Sequence, residues 1–159
     1  AAGAYTAEVT SANDGSGVAL AEVYDASNLS GLRLVNVSVR ARSGAGADVV
    51  IAGFVISDGP RTVLIRGVGP GLASYGVNGI VLDPRIEVYQ GRTLIYENND
   101  WQGAPDVTEA SRRVGAFALT LGSRDSALVA RLEPGAYTVL LRDRTGAAGV
   151  GLIEVYELR

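Results

Sequence analysis

Apolar and polar positions alternate with a period of two along most of the chain, in short runs separated by Gly, Pro, Asn, Asp and Ser. In "RLVNVSVRAR" the residues Val35, Val37, Val39 and Ala41 share one face and Asn36, Ser38, Arg40 and Arg42 the other, the mark of a half-buried strand. "DVVIAGFVIS" is apolar on both faces, which predicts a central strand shielded on each side. "RTVLIRGV" follows after "DGP", and the three segments together predict a meander. "RIEVYQGRTLIYEN" predicts a hairpin turning at Gln90-Gly91. "GAFALTL", "SALVARL", "AYTVLLRD" and "GVGLIEVYE" continue the series, with a turn at Glu133-Pro134-Gly135 from which the neighbouring strands fold back.

Two stretches leave this period. "GPGLASYGV", residues 69–77, has room for one helical turn or an irregular loop. "APDVTEASRRVG" reads as a short helix: Pro105 suits its first turn, Val107, Ala110 and Val114 recur at helical spacing, Glu109 precedes Arg112 and Arg113, and Gly115 can close it. It is expected as a small cap over one end of the fold. Roughly nine to eleven short strands with one short helix predict an all-β protein, an antiparallel β-sandwich, with a closed β-barrel as the alternative.

One pattern occurs twice. "GAYTAEVT" near the start returns as "GAYTVLLR" near the end, and "GVALAEVYD" returns as "GVGLIEVYE". Both pairs keep one offset, 137 − 5 = 132 and 156 − 24 = 132. Residues 1–25 are therefore set apart as an N-terminal hairpin or donated segment duplicating residues 133–157, and residues 26–159 as the sandwich domain. In the first copy Tyr5, Ala7 and Val9 share a face, and Leu20, Val23 and Tyr24 continue the apolar series, so these six residues are the candidate assembly surface. Three readings account for the duplication: two related hairpins in one domain, a tandem repeat cut a little beyond one period, or a segment that completes a neighbouring copy.

Composition narrows the chemistry. All 14 basic residues are Arg, with no Lys, His, Cys or Met, and the net charge is −3. That balance offers phosphate backbones nothing to be drawn to, so nucleic acid is a poor partner. Without His or Cys there is no His-based triad, no thiol nucleophile, no zinc site of the usual ligands and no disulfide. Carboxylate-only hydrolysis is the one catalytic route left, and no two acids are placed for it, so the chain reads as a non-enzyme. The start "AAGAY" suggests a mature chain after signal removal, or a piece of a longer one. The longest uncharged run is too short and too broken by Gly, Pro and Asn to cross a bilayer.

Three loops carry candidate chemistry. "RTVLIRGVGPGL" puts glycines after a strand but lacks the Lys-Ser or Lys-Thr of a phosphate-cradling loop, and reads as a tight connection. "YENNDWQGAPD" gathers Asn98, Asn99, Asp100 and Asp106, oxygen donors able to hold Ca²⁺, although Asx-turns explain the same residues. No cofactor is required. Trp101 among these amides and carboxylates is a candidate sugar platform as well as a core residue. "TSANDGSG", residues 10–17, is a hairpin loop with a weaker version of the same signal.

Together "RLVNVSVRARSG", "VVIAGFVISDGPRTVLIRGVGPGLASYGV", "IEVY", "NNDW" and the closing "GAYTVLL" and "GLIEVYE" resemble a repeated β-sandwich domain of large secreted bacterial surface proteins, over most of residues 32–157. "RLEPGAYTVLLRD" alone is similar to bacterial pre-peptidase C-terminal domains, accessories of secreted enzymes. The resemblance implies an extracellular or cell-surface module and supplies no catalytic residue. The expected function is a structural subunit of a surface assembly, a filament built by head-to-tail β-strand addition, with copies of itself as partners. The alternative is an accessory module that binds glycans or a cell surface.

Overall fold

The computed structural model describes residues 3–13, 15–24, 34–46 and 48–159, in two compact units, Ala1–Leu34 and Val35–Arg159. The expected domain boundary at residues 25–26 lies outside the described residues.

The larger unit holds eight strands among the described residues: β1 (Asn36–Ser43), β2 (Val50–Ile56), β3 (Arg61–Val68), β4 (Pro84–Gln90), β5 (Thr93–Asn98), β6 (Ser126–Leu132), β7 (Gly135–Asp143) and β8 (Gly149–Leu158). A 3₁₀ turn spans Pro70–Tyr75 and the helix α1 spans Pro105–Val114. One sheet has the order β1-β8-β3-β6 and the other β2-β7-β4-β5, every pairing antiparallel. The two sheets stay separate, so the fold is a sandwich and not a barrel.

Successive strands switch sheets at almost every connection, and only β4 and β5 form a hairpin, around Gly91 with φ 59°. The predicted meander is therefore absent: β2 lies in the opposite sheet, and β8 separates β1 from β3. The Glu133-Pro134-Gly135 turn carries the chain from one sheet to the other instead of pairing β6 with β7. Local turn chemistry dictates that the chain reverses, but the register partner is chosen by the core. β2 is an edge strand rather than a central one, and its outward Ile51 and Val55 are exposed. "GAFALTL" makes no ladder.

Two apolar clusters explain the layers. Val50, Ala52, Val63, Ile65, Ile86, Val88, Val139, Leu141, Ile153 and Val155 interdigitate between the sheets. Leu64, Val68, Leu72, Trp101, Val107, Ala110, Leu119 and Ala127 form a second cluster, joined by Leu152 and Tyr156 from β8. This cluster lies where α1 packs against β3, β6 and β8, so the helix covers the outer face of one sheet and not the end of the sandwich. Pro105 and Asp106 open α1, Arg112 and Arg113 complement its C-terminal end, and Gly115 closes it with φ 72°. β3 is buried on both faces for the same reason, its alternate residues feeding the two clusters.

Candidate functional site

The duplicated sequence defines the site, because its second copy shows where such residues settle. β7 takes a central place in one sheet, between β2 and β4, and β8 a central place in the other, between β1 and β3. The second copy is thus an arch spanning the sandwich, and not a hairpin. Tyr137, Val139 and Leu141 point inward from β7, with Val139 opposite Ala52 and Val88, and Leu141 opposite Val50 and Ile86. Tyr137 stacks on Phe54 with ring centroids 5.6 Å apart, and its hydroxyl donates to the Glu133 carbonyl at 2.7 Å. From β8, Ile153 and Val155 enter the same core.

Three close approaches fix the arch. Leu141 reaches across to Gly151, where an added Cβ would stand 2.6 Å from Leu141 Cδ2. At Gly149 a Cβ would stand 2.5 Å from the Val81 nitrogen and 2.6 Å from the Ile80 carbonyl, backbone that is itself tied to β8 by Val81 N–H to Val150 O at 3.0 Å and Val150 N–H to Gly79 O at 2.8 Å. At the bend, Asp143 accepts from the backbone N–H of Leu82, Asp83 and Thr145, at 3.2, 3.1 and 2.8 Å, and from the Thr145 hydroxyl. Burial pushes this carboxyl up, but the Thr145 side chain and the three backbone donors outweigh it and hold Asp143 below the usual carboxylate range.

The outer side of β8 carries a buried charge. Arg66 is fully buried, its Nε 3.2 Å from Glu154 Oε2 without an aligned hydrogen bond, while its Nη1 donates to Phe117 O at 2.8 Å and its guanidinium lies 4.2 Å over the Phe117 ring. Tyr156 donates to Glu154 Oε1 at 2.6 Å. Desolvation, then this hydrogen bond and the Glu154 charge, push the Tyr156 phenol well up; desolvation lowers Arg66 from its ordinary value.

The first copy has a different state. Residues 3–13 and 15–24 form no strand, and Tyr5, Ala7, Val9, Leu20, Val23 and Tyr24 are all exposed, with Tyr5 at 78%, Leu20 at 79% and Tyr24 at 78%. Two short-range features persist. Ser11 Oγ accepts from the N–H of Asn13 and Gly15 at 3.3 and 3.1 Å, the first as Asp143 accepts from Thr145 at the matching bend, and Tyr24 donates to Glu22 Oε1 at 2.8 Å, as Tyr156 does to Glu154. That bond raises the Tyr24 phenol.

The remaining candidates line two depressions that share Asn98 and Asp100. Trp101 is 7% exposed in the second core cluster, with Nε1–H donating to Thr120 O and Ser123 Oγ at 3.2 Å each, so most of its indole is committed to the core. Asn98 accepts from Ala127 N–H at 3.0 Å and donates to Asp100 O, Asn99 donates to Asp100 Oδ2, and Asp106 accepts from Val107 N–H inside the first turn of α1. Asn98, Asn99 and Asp100 line a depression of about 400 Å³ together with Glu97, Arg85 and Arg144, while Asn98, Asp100, Trp101 and Asp106 line a second one of about 430 Å³. Among the described residues no group of three His, Cys, Asp or Glu side chains is placed to hold a metal ion.

Sequence reasoning missed the buried acids. The Gly-rich loop does bind an anion, but one supplied by the chain: Asp125 Oδ1 accepts from Gly69 and Gly71 N–H at 2.9 and 3.1 Å. Asp83 bridges Arg124 and Arg144 at 3.2 and 3.0 Å. An acid just before the "SALVARL" strand, facing glycine amides far away in sequence, gives no local signal.

The fold and site define a β-sandwich with a second copy of its own last arch in sequence. No family model matches the chain, and no curated protein sequence does. Among solved structures it is similar to the pre-peptidase C-terminal domain of collagenase from Bacillus anthracis, with 10% identity over 76% of this chain and 89% of that one and a TM-score of 0.45. Among the described residues no helix is long and apolar enough to cross a membrane.

Proposed function

We propose that this chain is a non-catalytic structural subunit of an extracellular bacterial surface assembly, in which residues 3–24 link one sandwich to the next, copy to copy and head to tail, by strand complementation. One observation carries the reading: a segment repeating the central strands of the sandwich exposes Val9, Val18, Leu20 and Val23, with Val18 at 99%. Apolar side chains spaced as in a buried arch yet open to water are the mark of a surface made for a partner. A head-to-tail contact of this kind propagates unless its rotation closes a ring. Lacking Cys and Lys, the chain can form neither a disulfide nor a Lys-dependent cross-link, and burial of the arch supplies the linkage instead.

The test compares the full chain with a version lacking residues 1–25, by light scattering and electron microscopy over a concentration series. The full chain is expected to associate end to end, and the shortened chain to stay a folded monomer with the same Tm. A full chain that remains monomeric at every concentration reached would sink the reading.

A further inference from the structure

We infer that residues 3–24 are built to occupy two central slots, those held in this chain by β7 and β8, in a second sandwich body of the same kind, another copy included, whose own last two strands do not fill them. The inference rests on the linking role proposed above and names its acceptor: a body equivalent to β1–β6, not the exposed edge of a finished sheet.

The first support is a matched pair of differences. At the offset of 132, Leu141 corresponds to Val9 and Gly151 to Ala19. In the resident arch a Cβ at Gly151 would collide with Leu141 Cδ2 at 2.6 Å. In the first copy that Cβ is present, and the residue across from it is a valine, which has no Cδ atoms. One side loses volume where the other gains it, as expected of side chains that meet across a core. Nothing in an isolated strand or an edge-paired hairpin would couple residues 9 and 19 in this way.

The second support is Gly17. Its surroundings are open, with nothing within 4 Å of an added Cβ. The matching Gly149 is required because the backbone of Ile80 and Val81 passes within 2.6 Å of its would-be Cβ. A glycine kept at residue 17 fits an acceptor with the same crossing backbone. The third is Glu22, whose counterpart Glu154 faces the buried Arg66 at 3.2 Å; the acceptor is therefore expected to present an arginine at the equivalent of Arg66.

The body explains why such slots exist. β1 pairs only with β8, and β2 only with β7. A body without its last two strands leaves β1 and β2 without ladder partners and opens the core between the sheets along both slots, and an arch that enters them satisfies four strands at once.

Two experiments on the full chain test this. The first is a double-mutant cycle in the resident arch, with Leu141→Val, Gly151→Ala and both together, read by thermal melts. Gly151→Ala alone is expected to lower Tm by roughly 4–10 °C through overpacking, and by less than half as much beside Leu141→Val. Additive shifts overturn the inference, since Val9 and Ala19 would not then be a fitted pair. The second uses Gly149→Val, which drives the resident β8 off the Ile80–Val81 backbone and opens its slots to residues 3–24 of another copy. Circular dichroism and light scattering are expected to show folded oligomers that vanish when Gly17→Val is added. An association state that does not respond to the Gly17 change overturns the inference. A wild-type chain that stays monomeric while both expected results hold removes the copy-to-copy linkage and leaves the slot assignment standing.

Discussion

Residues 3–24 and residues 135–156 share 10 of 22 residues at one offset and stand in opposite states. The second copy is two strands at the centre of two sheets, and the first is exposed chain. What they share is short in range: a bend in which a side-chain oxygen accepts the N–H two residues on, and a tyrosine donating to the glutamate two residues before it. What differs is long in range, namely the ladders to β1, β2, β3 and β4 and the core behind them. The bend and the Tyr–Glu pair belong to the sequence alone, whereas the strand belongs to the sequence plus its neighbours, as β propensity measured in different contexts also implies.

The largest break in this comparison comes from the matched glutamates. Glu154→Ala leaves Arg66 buried without its ion-pair partner and is expected to cost about 3–5 kcal/mol in chemical denaturation, while Glu22→Ala, at an exposed position, stays within about 0.5 kcal/mol. Equal effects would mean that the two copies have equivalent surroundings. The bends come next. Asp143→Ala removes the acceptor for three backbone donors and is expected to cost about 1–3 kcal/mol, against no measurable change in the sandwich melt for Ser11→Ala. Because Asp143 is held below the usual carboxylate range, its contribution is present above about pH 4 and is lost as pH falls from there through its lower folded value. A pH series of melts is expected to be flatter in the variant over that range.

A smaller contrast lies at alkaline pH. The Tyr156 phenol is raised in the folded protein, so its contribution is complete below about pH 10 and is lost as pH rises from there toward the folded value. Tyr156→Phe is expected to soften the alkaline loss of stability. Tyr24→Phe is expected to leave it unchanged, because the Glu22 bond that raises Tyr24 is local to its own segment. The smallest expected effect concerns calcium. With Asn98 and Asp106 accepting backbone donors, Asp100 Oδ2 bonded to Asn99, and Glu97 paired with Arg85, melts in excess Ca²⁺ and in chelator should agree within about 1 °C. A shift of several degrees would identify the Asn98 to Asp106 loop as a cation site.

Much of this fold was legible as strands and little of it as sheets. Alternation located β1, β3, β4, β5, β6, β7 and β8, and the 3₁₀ turn and α1 followed from Gly, Pro and helical spacing. Which strand joins which sheet was not legible, because six of the seven connections between strands cross the sandwich, and a turn such as Glu133-Pro134-Gly135 reads the same whether the strands it joins pair or part. β2 misled for a related reason: apolar residues on both faces signify two covered faces only when something covers the second. At the site, the duplication was plain in sequence, but the correspondence of Val9 and Ala19 with Leu141 and Gly151 needs the distance across the core. Trp101 is the converse case. Polar neighbours in sequence suggested a surface, yet residues 119–123 come from elsewhere in the chain to enclose the indole and receive its N–H.

The placement of β7 and β8 also governs when the domain can fold. They follow all the other strands in sequence and sit between strands made long before them, β1 with β8 spanning separations of 106 to 120 residues. Contacts of such range give a high contact order, and loop closure of that length precedes any reward, so folding falls in the slow regime of all-β domains. As the chain emerges during synthesis, β4–β5 can close locally and β3–β6 can pair, but β1 and β2 must wait for the final arch. Folding is thus deferred to the last strands made, and under the proposed linkage the copy of the arch that first reached a waiting body would decide which sandwich it completes.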